Sequence, residues 1–177
     1  TEIYTLSLHD ALPISIALEM RTSKDDIQVI GSIDAEAKFR PVDTLEPTSI
    51  LNTTGRGYFI LGILGSRQEP TNHAMRDIAA LQKEFETWGR SMILLFKDEA
   101  EWKKFDRNEF GALPGTITYG IDTDGKIAGM VGSAMNLPSS GILPVFVIAD
   151  TFGRVVFVSQ GYTIGLGEQM MQVIHKL

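Results

Sequence analysis

The residues best suited to catalysis are a hydroxyl and an imidazole two positions apart, Thr71 and His73, directly after Pro70. A nucleophile and its base need a mutual hydrogen bond and a third group that orients the base. Side chains two positions apart on a helix point in different directions. We therefore interpret Thr71 as the N-cap of a helix and His73 as a solvent-facing side chain. A hydrolase that uses Thr71, His73 and a carboxylate is the alternative.

Other short motifs do not complete a ligand set. His73 with Glu69 and Asp77 falls short of a metal site. The stretch DTDG at 122–125 lacks the remaining oxygen ligands of a calcium loop, so we predict a turn there. The stretch GYTIGLG at 161–167 lacks the spacing of a nucleotide-binding fingerprint and is predicted to be a flexible entry to the last helix. The sequence thus predicts no metal and no cofactor.

The chain contains no cysteine. Disulfides, thiolate catalysis, Cys-ligated metals and thiol redox chemistry are therefore excluded. The absence carries no information about the cellular compartment, because cysteine-free proteins occur in both reducing and oxidising spaces.

Charge and hydropathy exclude two further classes of protein. The 177 residues include 16 basic and 22 acidic side chains, for a net charge of −6, and the basic residues do not cluster. Nucleic-acid binding needs a Lys/Arg footprint, so we expect no nucleic-acid partner. No apolar run approaches the roughly 18–20 residues of a membrane span.

The first 15 residues, TEIYTLSLHDALPIS, match neither a folded element nor a secretory signal, which needs a basic start and an unbroken apolar core. One choice of codons turns Thr1 to Ile14 and the first base of Ser15 into the DNA adapter used for short-read sequencing. We expect residues 1–15 to be an unstructured artefact joined to a gene fragment, which removes His9 and Asp10 from any site. A genuine disordered arm is the alternative.

The remaining sequence alternates between strand and helix patterns. IALEMR at 16–21 and DDIQVIGSI at 25–33 are strand-like, and AKFRPVDTLEPTS at 37–49 is predicted to be a connector. Strands are then predicted at 55–65, 91–96, 116–121, 143–150 and 154–161; the first two are predicted to be buried and the last two to form an antiparallel hairpin. Helices are predicted at 70–89, with an apolar stripe that ends at Gly89, at 99–105, at 126–137 and at 165–177. This order predicts a mixed central sheet with helices on both faces.

From Gly55 to Leu177 the chain resembles the thioredoxin-like fold of peroxiredoxins and thiol-disulfide reductases. The most specific stretch is LPVFVIADTFGRVVFVSQGY at 143–162, where Pro144 takes the place of the family's cis-proline, and Asp150, Gly153 and Gly161 match the hairpin that follows. The resemblance implies an α/β three-layer sandwich and a cis peptide bond before Pro144.

The resemblance also places the family's redox dithiol at Thr71-Asn72-His73-Ala74, where this chain has no thiol. Thiol–disulfide exchange requires a thiolate, so the family reaction cannot run here. In related folds the groove beside the cis-proline holds extended peptide. We therefore expect a peptide-binding surface lined by Thr71, Asn72, His73, Ile142, Leu143 and Pro144.

A narrower resemblance rests on GRGYFILGILG, EPTNHAMRDIAALQKEF and VVFVSQGYTIGLGEQ. These runs are similar to the C-terminal, cysteine-poor thioredoxin-like region of large bacterial exported proteins with a transglutaminase-like domain. The resemblance implies three segments: the artefact at 1–15, the tail of an upstream β-rich domain with a linker at 16–54, and a thioredoxin-like domain at 55–177. It also implies a periplasmic or exported location.

From these observations we expect a redox-inactive accessory domain whose partners are the upstream domains of the same polypeptide and an extended peptide. The alternatives are a purely structural cap on the preceding β domain and an enzyme of non-thiol chemistry.

Overall fold

A computed structural model describes residues 27–138 and 141–177. The adapter-like segment 1–15 and the predicted strand at 16–21 lie outside the described residues. The strands are β1 (Gly31–Ser32), β2 (Lys38–Pro41), β3 (Thr48–Ser49), β4 (Phe59–Ile63), β5 (Met92–Phe96), β6 (Ile117–Ile121), β7 (Val145–Ala149) and β8 (Arg154–Gln160). The helices are α1 (Ile50–Thr54), α2 (Glu69–Ala80), α3 (Gln82–Trp88), α4 (Glu99–Lys104), α5 (Lys126–Ala134) and α6 (Leu166–Ile174), with 3₁₀ turns at Arg107–Phe110 and Thr123–Gly125.

The strands form one mixed sheet in the order β1-β8-β7-β4-β5-β6-β2-β3. The pairs β4–β5 and β5–β6 are parallel, whereas β7 runs antiparallel to both β4 and β8. The predicted α/β class and mixed sheet are therefore confirmed.

Both faces of the central strands are buried. Every residue of β4, β5 and β7 is buried, and successive side chains point to opposite sides of the sheet. One face packs against α2, α3 and α6, which contribute Ile78, Phe85 and Met170. The other face packs against α5 and the N-terminal segment. Continuous apolar runs such as MILLF are typical of strands covered in this way.

The connector predicted at 37–49 is wrong, because β2 and β3 form there and join the sheet beside β6. Phe39 on β2 is 1% exposed and Ile50 at the start of α1 is fully buried. The Phe39 ring lies directly over Gly120, where a β-carbon would collide with it. Of the two prolines that suggested a connector, Pro41 is the last residue of β2 and Pro47 directly precedes β3. β2 pairs with the distant strand β6, which local sequence does not indicate.

The predicted helix at 70–89 is divided at Leu81, whose backbone (φ −108°, ψ 24°) leaves the helical region. The apolar stripe continues across the break, so the residues face the same core. A β-carbon at Gly167 of α6 would lie 3.0 Å from Leu81 Cδ1 and 3.1 Å from the Asp77 carbonyl oxygen. The break thus coincides with a close approach of the α6 backbone, which the helical periodicity does not reveal.

Aromatic rings fill the region beside β6. Tyr119 packs against Trp102 and Phe105 with ring centroids 5.1 and 5.8 Å away. Arg107 lies over the same ring, with Cζ 5.4 Å from its centroid. Burial raises the pKa of Tyr119 to about 12, and the positive charge of Arg107 opposes that rise.

Phe39→Ala tests whether the N-terminal segment is part of the folded unit. Deleting a buried phenylalanine ring from a core typically costs about 3–5 kcal/mol, so we expect a loss of that order in the free energy of unfolding measured with urea. Leu45→Ala is the control, because Leu45 is 83% exposed. A Phe39→Ala protein as stable as the Leu45→Ala protein would contradict the integral role of β2.

Tyr119 also predicts a dependence of stability on alkaline pH. Its folded pKa of about 12 exceeds the usual value of about 10, so the fold favours the neutral phenol. The resulting stabilisation is complete below pH ~10 and is lost as pH rises towards ~12. Unfolding curves at pH 8 to 12 should show this loss in the wild type, and Tyr119→Phe should reduce it.

Candidate functional site

The pairing of β7 with its two neighbours brings three chain segments to one end of the sheet. Ile63, at the end of β4, pairs with Val145, at the start of β7. Val145 also pairs with Gln160, at the end of β8. The loop from β4 to α2, the segment before β7 and the segment after β8 therefore meet there.

Backbone and side-chain hydrogen bonds join the last two of these segments. The Gly161 N–H donates to the Pro144 carbonyl at 2.8 Å, and the Gln160 side-chain amide donates to the Ile142 carbonyl at 3.3 Å. The Leu143–Pro144 peptide bond is cis, and Gly161 adopts a positive φ of 75°. A β-carbon at Gly161 would lie 2.9 Å from Ile142 Cγ2, so the two segments are in close contact.

Thr71 is not the N-cap that the sequence predicted. α2 begins two residues earlier, after Gln68, which makes no side-chain capping hydrogen bond. Thr71 is fully buried, and its Oγ1 accepts a hydrogen bond from the Gly65 N–H at 3.2 Å. The hydroxyl thus holds the loop between β4 and α2 from inside. Since it is buried, Thr71 supports the expected surface from beneath and does not line it.

His73 lies on the outer side of α2 and connects it to the segment after β8. Its side chain is 44% exposed, and its Nε2 lies 3.9 Å from Glu69 Oε1. The imidazole packs edge-on against the Tyr162 ring, with centroids 5.0 Å apart. Thr71 and His73 therefore face in different directions, one into the core and one towards Tyr162.

Asn72 and the residues before β7 complete the set of predicted side chains. Asn72 is half-buried, and its N–H donates to the Gln68 carbonyl at 3.0 Å. Ile142 is 47% exposed, Leu143 is half-buried and Pro144 is buried. The Pro144–Gly161 bond and the Tyr162–His73 contact connect these two groups of residues.

The segment after β8 contributes residues that the sequence did not single out. Tyr162 is 54% exposed and Ile164 is 79% exposed. Grouped apolar side chains in contact with solvent mark interaction sites more often than isolated ones do. The available signal was an aromatic and a branched aliphatic residue inside the glycine-rich stretch GYTIGLG, directly after the last strand of the sequence.

The stretch DTDG holds the start of α5 through its first residue. Asp122 is buried, and its two carboxylate oxygens accept hydrogen bonds from the Ile127 and Ala128 N–H groups, both at 2.9 Å. The carboxylate thus satisfies backbone donors in the first turn of α5. Within residues 27–138 and 141–177, no group of three His, Asp or Glu side chains is placed to hold a metal ion.

No protein-family model matches this chain, and no curated protein matches it. Solved structures do. The bacterioferritin comigratory protein of Xanthomonas campestris is 12% identical with a TM-score of 0.64, covering 85% of this chain and 100% of its own. A candidate thiol:disulfide interchange protein, DsbE, of Chlorobium tepidum is 17% identical with a TM-score of 0.60, covering 82% and 96%. A SCO1/SenC family lipoprotein of Bacillus anthracis str. Ames is 14% identical with a TM-score of 0.62, covering 84% and 96%.

The fold is thioredoxin-like. This confirms the fold expected from the stretch at 143–162, and the sequence contains no cysteine with which to perform thiol chemistry. None of the helices in the described part of the chain has the length and apolar character needed to cross a bilayer.

Thr71→Val tests whether the Thr71 hydroxyl stabilises the loop between β4 and α2. The valine keeps the volume but cannot accept the Gly65 hydrogen bond, which leaves a buried N–H without a partner. We expect the free energy of unfolding to fall by about 1–3 kcal/mol in urea titrations. Thr71→Ser should lose less, because it keeps the hydroxyl.

Thr87→Val is the matched control, since Thr87 is exposed on α3. A Thr71→Val protein that unfolds like this control would show that the hydroxyl does not hold the loop.

Proposed function

We propose that this chain is a redox-inactive thioredoxin-like domain that binds an extended polypeptide. The binding surface, here called the peptide surface, consists of residues from α2, from the segment before β7 and from the segment after β8: Asn72, His73, Ile142, Leu143 and Tyr162. Thr71 and Pro144 are buried and support it from beneath. The observation that carries the proposal is the direct connection of the three segments through the Gly161–Pro144 hydrogen bond and the Tyr162–His73 contact.

The chemistry of the peptide surface suits binding better than catalysis. Its exposed side chains are mainly apolar, and Tyr162 offers a rigid aromatic ring with a polar tip. Tyrosine is among the residues that contribute most to interfaces. The only imidazole in this group, His73, contacts an aromatic ring and one exposed carboxylate. The buried Thr71 hydroxyl is already bonded to Gly65, which argues against the hydrolase alternative.

We further propose that the domain belongs to the C-terminal region of a larger bacterial exported protein with a transglutaminase-like domain. The support is the similarity of the runs at 55–65, 69–85 and 155–169 to that region. In this proposal residues 1–15 are translated adapter, and residues 16–54 follow the upstream β-rich domain and contribute β1, β2 and β3 to the sheet of this domain. The peptide surface receives a segment of that upstream part or of its substrate. The intact open reading frame tests this proposal directly.

A structural cap on a preceding β domain is the second candidate. It is favoured by β1, which lies at one edge of the sheet, and by Val29 and Ile30 just before it, which are 50% and 46% exposed. Exposed apolar residues beside an edge strand suit the addition of another strand. A cap would use this edge, near the turn of the β7–β8 hairpin, whereas a peptide-binding domain would use the open end of that hairpin.

Binding is tested with a panel of end-blocked hexapeptides of Gly and Ser that carry one central Leu, Phe, Lys or Glu. We expect at least one peptide to shift the backbone amide signals of Asn72, Leu143 and Tyr162 in heteronuclear NMR spectra. Tyr162→Ala should weaken that binding about tenfold or more, equivalent to about 1.4 kcal/mol, because it removes the central aromatic contact.

Phe152→Ala provides the control. Phe152 is an exposed aromatic residue (78%), as is Tyr162 (54%), but it lies at the turn of the β7–β8 hairpin, at the other end of β8. Equal binding by wild type and Tyr162→Ala would refute the peptide surface. Shifts confined to Val29, Ile30 and β1 would favour the cap.

A further inference from the structure

A cleft of about 660 Å³ opens beside the peptide surface, between α5 and the start of β7. Its walls include Val131 on α5, Ile63 at the end of β4, Val145 at the start of β7, and Leu143. It shares Ile142 and Leu143 with the peptide surface, and Gln160 also lies in its wall. Mostly apolar clefts of this size are typical of ligand-binding sites.

Two glycines on α5 form part of the cleft wall. Gly129 and Gly132 lie three positions apart and so share one face of the helix. Glycine is among the least favourable residues inside a helix. Close packing does not explain either glycine, because a β-carbon built at each position meets nothing within 4 Å. Their effect is to keep the cleft wide and to expose the helix backbone to it.

Asn136 lies at the C-terminal cap of α5 in the left-handed conformation that glycine usually adopts there. Asn136 adopts a positive φ of 51°. The Leu137 N–H donates to the Gly132 carbonyl at 2.9 Å, and the Asn136 N–H donates to the Ser133 carbonyl at 3.3 Å. This is the hydrogen-bond pattern of a Schellman motif, which holds the cleft side of the helix end in one conformation. The part of the cleft wall formed by the end of α5 is therefore held by hydrogen bonds within the helix.

The cleft wall carries no charge among the described residues that form it. Its polar side chains are Ser133, Asn136 and Gln160, which are all neutral. A charged side chain entering the cleft would lose hydration without gaining an opposite charge, which is unfavourable. An apolar side chain would gain free energy from burial, and the neutral amides remain able to pair with peptide groups.

We propose that this cleft is the specificity pocket of the peptide surface. It accepts bulky, uncharged apolar side chains of an extended segment whose backbone lies over Ile142 and Leu143, and it discriminates against charged ones. This inference rests on the proposed peptide-binding function, and it adds the class of sequence that the domain selects.

The same hexapeptide panel tests the pocket when combined with variants that fill it. Gly129→Ala and Gly132→Ala place a methyl group in open space and replace a poor helix former, so both proteins should unfold at or above the wild-type temperature. In the wild type, the Leu and Phe peptides should bind at least about tenfold more tightly than the Lys and Glu peptides. They should also shift the amide signals of Gly129 and Gly132. Each alanine variant should weaken binding of the Phe peptide about fivefold or more, and the double variant should remove the preference for apolar over charged peptides.

Gly115→Ala is the matched control, because Gly115 also has room for a β-carbon, whose nearest neighbour is Glu86 Oε1 at 3.7 Å, and lies away from the cleft. It should leave both affinity and preference unchanged. Peptide shifts at Asn72 and Tyr162 with no effect of the α5 substitutions would overturn the pocket and leave the peptide surface standing. Equal binding of all four peptides would also overturn it. No shift anywhere with any peptide would overturn both proposals.

Discussion

The antiparallel pairing of β4 with β7, within a sheet buried on both faces, is the constraint on which the rest of the structure depends. It brings the end of one strand next to the start of the other, Ile63 beside Val145. Because both strands are covered by helices, a shift in register by one residue would exchange the two core faces. Gly62 adds a steric condition, since a β-carbon there would lie 2.7 Å from Leu94 Cδ2 and Phe146 Cε1. The start of α2 and the segment before β7 are therefore held together by the core itself.

Much of the fold could be predicted from local sequence, because the central strands are continuous apolar runs and the helices have apolar stripes. These apolar patterns did not predict the elements whose structure depends on a residue far away in the sequence. β2 exists because Phe39 packs over Gly120, and β2 pairs with β6 about 80 positions later, Arg40 beside Ile121. The break at Leu81 coincides with the approach of α6. Neither contact leaves a periodic signal in the sequence around it.

The candidate site could be predicted in outline and not in detail. Pro144 and the position of the helix start indicated where the segments meet, but Thr71 was expected at the surface and is buried against Gly65. Tyr162 was not expected, since a glycine-rich stretch gives no sign of which side chain reaches across to His73. Gly129 and Gly132 are unfavourable residues inside a helix, and only the open space beside them shows where they have an effect.

The Thr71 hydroxyl at the start of α2 faces the core, so the proposed peptide surface depends mainly on the neighbouring loops. A helix start that performs thiol chemistry must present its reactive group to solvent, near free N–H donors. Here Pro70 has no N–H, and Thr71 turns inward to accept from Gly65. The hydroxyl at the start of α2 is thus engaged within the protein. At this end of the sheet, the large exposed apolar side chains among the described residues are Ile142, Tyr162 and Ile164, which are carried by the segments before β7 and after β8. In the proposed function, recognition of a partner at this end of the sheet comes from these loops, and the uncharged cleft beside them selects apolar side chains.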